Sequence, residues 1–412
     1  MTGQEWRPLG YRALFRELFK EHLKRQEELL GKNRPVGWFF SFQPSELIYV
    51  FDLVPAFPEQ YSAYCAARGS SIDLIDCSIG AGYSHFLCDY FKNTLGFIIE
   101  PSKATPPPMP KPDFIVGMRG LCIAHCEMAE LFAMMREIPC YILNCPYWTR
   151  DVIGGHDWIT KVPEKMDKTY YEYFVDGLNG LIDFLEKITG EKMDEDRFRE
   201  VFRLSEKTSR MLVEITRLMM AKPTPGSQRD LSDLVFVSFF TLGSNYAYEF
   251  ASKALSIIKD RVGKGEGVAA DEKYRLLTFG IMPWHSLSLY EYCETLGATF
   301  PVNIYAAETV HLAEADKPYE SMLRRTIHFT NADYSLMYDV VEGVKNADLD
   351  GAILFENTGC RVTSMIVWPL ADIIEERLGI PSLIIEAPQC DPRITPIDKI
   401  KMKIDAFLEA LK

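Results

Sequence analysis

The chain has 412 residues, 47% hydrophobic, 25% charged and 12% aromatic, which supplies sizeable cores and excludes a mainly disordered chain. Its 45 Lys and Arg against 58 Asp and Glu leave a formal net charge of −13 without a basic run, so neither nucleic acid nor an anionic membrane is an expected partner. No apolar stretch reaches the roughly 18 residues that span a bilayer, and the charged first 26 residues lack a signal peptide's apolar run. The expected location is therefore cytoplasmic, where the ten cysteines stay reduced and need an explanation other than disulfides.

Residues 8–31 read as an amphipathic helix rich in Leu, Phe, Glu and Lys that stops at Gly31. Beyond Pro35 short apolar runs alternate with helical patterns: a buried strand at 36–40, helices around 44–52 and 82–95, a strand at 114–117, a helix at 122–136 and a strand at 140–143. Such alternation predicts a parallel sheet with crossover helices. From 166 to 262 the periodicity is helical (170–188, 195–220, 230–258), with almost no strand signal. The polar, glycine-rich stretch 263–267 closes that segment as a linker. Alternation then returns, with strands at 275–279, 352–355 and 382–385 and helices at 286–296, 363–378 and 395–411. The expected fold class is α/β: two lobes, each with a small parallel sheet flanked by helices, plus a mostly helical insertion. The boundaries are an N-terminal helix at 1–34, a first lobe at 35–165, the helical segment at 166–270 and a second lobe at 271–412. A cleft between the lobes is the natural ligand site.

Nucleotide motifs are missing. Gly80-Ala-Gly82 lacks the third glycine and the strand of a dinucleotide fingerprint, and no phosphate-binding Gly-x4-Gly-Lys-Ser/Thr loop exists, so the chain is not an ATPase by itself. The cysteines say more. Cys122 and Cys360 each follow a predicted strand and precede a predicted helix, and Cys88 lies near a helix start. Ligands gather at the carboxyl ends of strands in open α/β sheets, and thiolates suit iron–sulfur sites. Burial as small hydrophobes is the competing account of any one of them. Cys126, one turn after Cys122 and next to His125, fits zinc ligation or packing, with packing favoured. Packing is also expected for Cys65, Cys77, Cys140, Cys145, Cys293 and Cys390.

An ordered set of motifs then carries a resemblance: Pro35-Val-Gly-Trp38, Ser41-x-x-Pro44-x-Glu46-Leu47, Phe57-Pro-Glu59-Gln60, Gly82-Tyr-Ser84, Leu87-Cys88, Pro112-Asp-Phe114, Cys122, Cys360 and Gln389-Cys-Asp-Pro-Arg393. Over nearly its whole length the chain resembles the large subunits of 2-hydroxyacyl-CoA dehydratases, a superfamily that includes the ATP-dependent benzoyl-CoA reductases. It is most similar to the α subunit of the 2-hydroxyisocaproyl-CoA type.

The resemblance implies a heterodimer with a homologous second subunit, each holding a [4Fe–4S] cluster through three cysteines, here Cys88, Cys122 and Cys360. It also implies a separate ATP-hydrolysing iron–sulfur activator that delivers one electron, and an acyl-CoA substrate whose carbonyl takes the open iron. The acid–base pair maps onto Ser41 and Glu59. The implied reaction expels the 2-hydroxyl through a ketyl radical, after which the neighbouring C–H is acidic enough to lose. Cluster potentials reach only about −700 mV, which accounts for the use of ATP. Ser41 can alternatively serve a helix start, and Glu59 can be a solvated loop carboxylate. Phe39 and Phe40 either shape an apolar pocket or finish a buried strand; Trp284 and His285 either touch the acyl-CoA at a cleft edge or, the commoner outcome, are a core tryptophan and a satisfied histidine. The run 105–112, rich in proline, reads as a rigid surface connector. Two other readings stay open: a subunit of an aromatic acyl-CoA reductase, and a non-dehydratase electron-transfer protein of the same superfamily.

Overall fold

The computed structural model describes residues 10–120, 122–327 and 334–412. The N-terminal helix runs from Tyr11 to Gly31; residues 8 and 9 of the expected helix lie outside the described residues. Its Tyr11 hydroxyl donates to the Ala254 carbonyl at 2.7 Å, fastening it to the helix Asn245–Lys264.

Among the described residues there are two four-stranded sheets, each wholly parallel. The first contains β1 (Val36–Phe39), β2 (Val54–Ala56), β3 (Phe114–Arg119) and β4 (Cys140–Asn144), in the order β2-β1-β3-β4. The second contains β5 (Tyr274–Phe279), β6 (Ala298–Asn303), β7 (Gly351–Glu356) and β8 (Ser382–Glu386), in the order β6-β5-β7-β8. Pairs such as Trp38 with Ile115 and Leu354 with Ile384 set the registers of the inner strands. Central strands are covered by helices on both faces, so their residues are buried without alternation, as the short apolar runs predict. The fold is the α/β arrangement expected from the sequence.

Several details differ from expectation, among them the unforeseen helices Pro58–Arg68, Ile304–Thr309, Pro318–Arg324 and Met337–Val344. Strands β2 and β6 were not foreseen. The helix expected at 82–95 begins only at Asp89 and runs to Ile99, after a turn in which Gly82 takes a φ of +93°, and the helix Ser71–Gly80 before that turn was not expected. The helix expected at 230–258 is also interrupted. Gln228–Phe236 passes through a wide helical turn at Val237–Thr241, and Ser244 then caps Asn245–Lys264 by accepting from the Ala247 amide. Finally, that last helix runs into the expected linker and stops at Gly265, which is left-handed.

The segment between the sheets is helical because its apolar residues recur on one face. In Glu195–Leu218, which Asp194 caps, Phe198, Val201, Phe202, Leu212 and Ile215 are buried and the charged residues face outward. A buried ion pair ties this segment to both lobes. Arg325 donates to both Glu46 oxygens, at 2.7 and 2.9 Å, and Ser205 donates to the same carboxylate at 2.6 Å. Both charged side chains are 1% exposed, so removing either partner strands the other charge, at a cost of about 3–5 kcal/mol. No described helix is long and apolar enough to cross a membrane.

Candidate active site

In the first sheet β1 and β3 are neighbours whose following segments depart in opposite directions, and a crevice opens outside their carboxyl ends. Ser41 follows β1. Glu59 follows β2, in the first turn of the helix Pro58–Arg68, where proline at the first helical position needs no amide partner. Cys122 follows β3 and immediately precedes Ile123–Arg136. Cys88 immediately precedes Asp89–Ile99, and Cys360, after β7 of the second sheet, immediately precedes Arg361–Leu378. Each cysteine thus stands at a helix N-terminus, where free amides and the helix dipole favour negative charge on sulfur.

Two glycines make this convergence possible. Gly359 has a φ of +85°, and a Cβ there would sit 2.8 Å from the Leu87 carbonyl oxygen, so only glycine lets the Cys360 turn lie against the Cys88 turn. Gly120, at the end of β3, has a φ of +134°, and a Cβ would meet that of Cys145 at 2.7 Å. Polar side chains lock the same loops. Asn357 is fully buried, donates to the carbonyls of Ile281 and Ala387 and accepts from the Ile281 amide, joining the segments after β5, β7 and β8. Asp89, beside Cys88, accepts from the amides of Cys390 and Asp391 and pairs with Lys92 at 2.9 Å.

The result is one cavity of about 80 Å³ between the sheets, lined by Cys88, Cys122 and Cys360 together with Ser41 and Glu59. Residues from distant parts of the chain therefore meet around one cavity. The thiols reach the cavity and keep some solvent access, yet burial pushes all three pKa values up. Cys360 and Cys122 raise Cys88 further, and Cys360 raises Cys122. First-turn amides oppose this: Phe91 at Cys88, Ala124 and His125 at Cys122, Thr363 and Val362 at Cys360. Three thiols that repel one another when ionised are suited to positive charge placed among them, which reverses the sign of the local field. Among the described residues no three His, Cys, Asp or Glu side chains are placed to hold one metal ion. The donor set suits a cluster whose separate irons each take one thiolate.

Glu59 is held on both oxygens. The Ser41 amide and hydroxyl both donate to Oε2 at 2.7 Å, and His125 Nε2 donates to Oε1 at 2.9 Å. Burial alone would raise the carboxyl pKa; the His125 charge and these hydrogen bonds overcome it, and the net shift is downward. A carboxylate ionised in a buried place, with a hydroxyl on it, can receive a proton at Oε2 and pass one through the serine oxygen. Glu59 is therefore not a solvated loop carboxylate, and Ser41 makes no helix-capping bond.

His125 was noticed in the sequence only beside Cys126, as a zinc candidate. It faces Glu59 instead, stacked on Phe40 at 5.6 Å, while the Cys126 thiol donates to the Ile123 carbonyl at 3.1 Å and does not line the cavity. Phe39 packs edge-on against Phe114 in the core, so both phenylalanines finish a buried strand. Phe42 lines the cavity, with a φ of +68° that is rare for an aromatic residue. Trp284 donates to the Tyr90 hydroxyl at 2.6 Å, whereas His285 turns to Ser286. Among the further lining residues that escaped the sequence reading are Tyr90, Tyr305, Glu308 and Gln389. Only Gln389 carried a signal, by sitting in a quoted motif. It is fully buried, and neither of its amide atoms has a hydrogen-bond partner, which leaves a donor and an acceptor for whatever fills the cavity.

A family model described as 2-hydroxyglutaryl-CoA dehydratase, D-component, matches residues 40–411. The (R)-phenyllactyl-CoA dehydratase alpha subunit of Clostridium sporogenes is 26% identical, over 89% of this chain and 87% of its own. The (R)-2-hydroxyisocaproyl-CoA dehydratase alpha subunit of Clostridioides difficile is 24% identical, over 97% and 96%. A benzoyl-CoA reductase subunit of Thauera aromatica is 24% identical, over 95% of each chain. With two parallel sheets meeting at a cavity of three thiols and a model match from residue 40 to residue 411, the chain belongs to the 2-hydroxyglutaryl-CoA dehydratase D-component family.

Proposed function

We propose that this chain is the cluster-bearing subunit of a 2-hydroxyacyl-CoA dehydratase, a lyase that removes water from an acyl-CoA. It works with a homologous second subunit and an ATP-hydrolysing iron–sulfur activator. The observation that carries the reading is the meeting of Cys88, Cys122 and Cys360 with the Ser41–Glu59–His125 chain in one cavity. The three cysteines would hold a [4Fe–4S] cluster. When bound, that group supplies an electron at low potential and an electrophilic metal corner for a thioester carbonyl.

The residues do the rest. The elimination removes a hydroxyl from one carbon and a proton from the next. Glu59, ionised at rest, receives the C–H proton at Oε2. Ser41 Oγ, 2.7 Å away, hydrogen-bonds the departing hydroxide, and the proton that Glu59 takes from the C–H is relayed through the serine to it, so one water leaves and the pair returns to its starting state. His125 holds Glu59 in place through Oε1. The largely apolar walls, with Met128, Phe279, Ile281 and Val362, keep bulk water from a reactive intermediate.

Anaerobically purified protein should contain about four iron and four sulfide per chain. With a 2-hydroxyacyl-CoA it should turn over many times on a catalytic amount of reductant, because the electron is returned. Consumption of two electrons per turnover with benzoyl-CoA would instead assign it to the reductases, and a count of about eight irons per chain would favour an electron-transfer role.

A further inference from the structure

Gln389 lines the cavity of the three thiols and has no part in the proton transfers described above. It is fully buried, and both its amide nitrogen and its amide oxygen lack a hydrogen-bond partner. Buried polar groups are nearly always paired, because an unpaired one forfeits the hydrogen bonds that water gives it in the unfolded chain. A primary amide left bare at both ends therefore points to a missing ligand. Its backbone is fixed on both sides. Ala387 donates its amide to the Glu356 carbonyl at 2.9 Å and accepts from Asn357 Nδ2 at 2.9 Å. The Gln389 carbonyl accepts from the Trp284 amide at 3.0 Å, and the Cys390 amide donates to Asp89 Oδ2 at 2.7 Å. These bonds reach three other loops, so the residue is held at the cavity wall in advance of any ligand. Ile281 and Val362, which line the cavity with it, offer no polar side chain to pair with.

We propose that Gln389 recognises the α-hydroxy thioester unit of the substrate, its Nε2 donating to the thioester carbonyl oxygen and its Oε1 accepting from the 2-hydroxyl. This deepens, and rests on, the proposal of a 2-hydroxyacyl-CoA substrate. In the unit O=C–C–O–H an acceptor and a donor sit on adjacent carbons and can face the same way. That is the complement of the donor and acceptor that a primary amide presents along one edge. A carbonyl oxygen has two lone pairs, so a bond from Nε2 leaves the other unused. An aroyl or plain acyl thioester brings the acceptor alone and leaves Oε1 bare against an apolar wall. Such an unpaired buried group is what makes a site reject a ligand that lacks the matching hydroxyl. The hydroxyl is then met from two walls: Ser41, after β1, hydrogen-bonds its oxygen, and Gln389, after β8, accepts from its hydrogen.

The test is calorimetric binding to anaerobically purified full-length protein without reductant or activator, so that nothing turns over. Two matched pairs of ligands differ only in the hydroxyl: lactoyl-CoA with propionyl-CoA, and phenyllactyl-CoA with phenylpropionyl-CoA. The wild type should prefer the hydroxyl member of at least one pair about tenfold or more. Gln389→Leu should erase that preference by weakening the hydroxyl member while the plain thioester binds as tightly as before or more tightly. Gln389→Met, unbranched and of similar reach, should do the same. Because each substitution removes two unpaired polar atoms, the ligand-free variants should unfold at the wild-type temperature or above it, with iron content unchanged. A glutamine with a purely structural role would instead lower the unfolding temperature and leave the preference alone. A wild type without the preference overturns the assignment. So does a preference that survives both substitutions, or a loss of affinity shared equally by both members of a pair. Preference lost in the variants, with no 2-hydroxyacyl-CoA turned over by the wild type, defeats the dehydratase reading alone. Dehydration by a wild type whose preference persists in Gln389→Leu and Gln389→Met defeats the glutamine's assignment alone.

Discussion

The two sheets have one topology and unequal chemistry. In each, the first strand lies between the second and third, and the third pairs with the fourth. Cys122 and Cys360 occupy the same place, directly after the third strand and before a helix. Around that shared position the first sheet adds Ser41, Glu59 and His125, a hydrogen-bonded acid–base chain. The second sheet adds Ile281, Tyr305, Val362 and the unpartnered Gln389. A repeated scaffold thus supplies matched thiols by symmetry, while the hydrogen-bonded Ser41–Glu59–His125 chain stands on one side and Glu308, 3.9 Å from the Lys161 ammonium, on the other. That division lets the two roles be separated by mutation.

The largest effect tests the symmetric part. Cys122→Ser and Cys360→Ser should each lose most iron and all measurable dehydration, equally for the two sheets, whereas Cys390→Ser, buried outside the cavity lining, should keep both; iron and sulfide analysis and visible absorption read the result. Next, Glu59→Gln tests the asymmetric part: iron content should stay normal while kcat falls about 10²–10⁴-fold. Its pH dependence has a definite sign. Because the folded pKa of Glu59 lies below its unfolded value, its contribution is present above the ordinary carboxylate range and lost as pH falls through the depressed value. Denaturant titrations should show a wild-type loss of stability in acid that Glu59→Gln lacks. Glu46→Gln, which strands the Arg325 charge between the lobes, should cost about 3–5 kcal/mol in the same titration, and a cost below about 1 kcal/mol would mean that the lobes do not depend on the pair. The smallest effect is that of Gly359→Ala: positive φ and the close Leu87 carbonyl predict a loss of about 1–3 kcal/mol, with iron bound less tightly as Cys360 shifts.

The sheets were legible where their strands are buried on both faces. Runs such as Phe114 to Gly117 and Ala352 to Phe355 can be little else between two helical patterns. The two strands that escaped, β2 and β6, share a reason: each contains a proline, Pro55 or Pro301, and each is an edge strand, where a missing backbone donor is tolerated. The helix expected at 82–95 starts only at Asp89 because the turn that carries Gly82, with a φ of +93°, interrupts the backbone where the apolar pattern continues. At the cavity, cysteines were legible from their place between strand and helix. His125 and Gln389 were not, because their meaning lies in partners far away in sequence, Glu59 in one case and none in the other.

The contact between Gly359 and Leu87 has a further consequence for biosynthesis. Cys88 emerges early from the ribosome and Cys360 late, and the wall that faces Cys88 exists only once β7 and the helix after it have packed. A nascent chain therefore carries two thiols with no third beside them for most of its synthesis, and closure of the cavity is a long-range, slow event. A group held by all three sulfurs, as proposed above, would therefore have to arrive after translation, once the last sheet has formed.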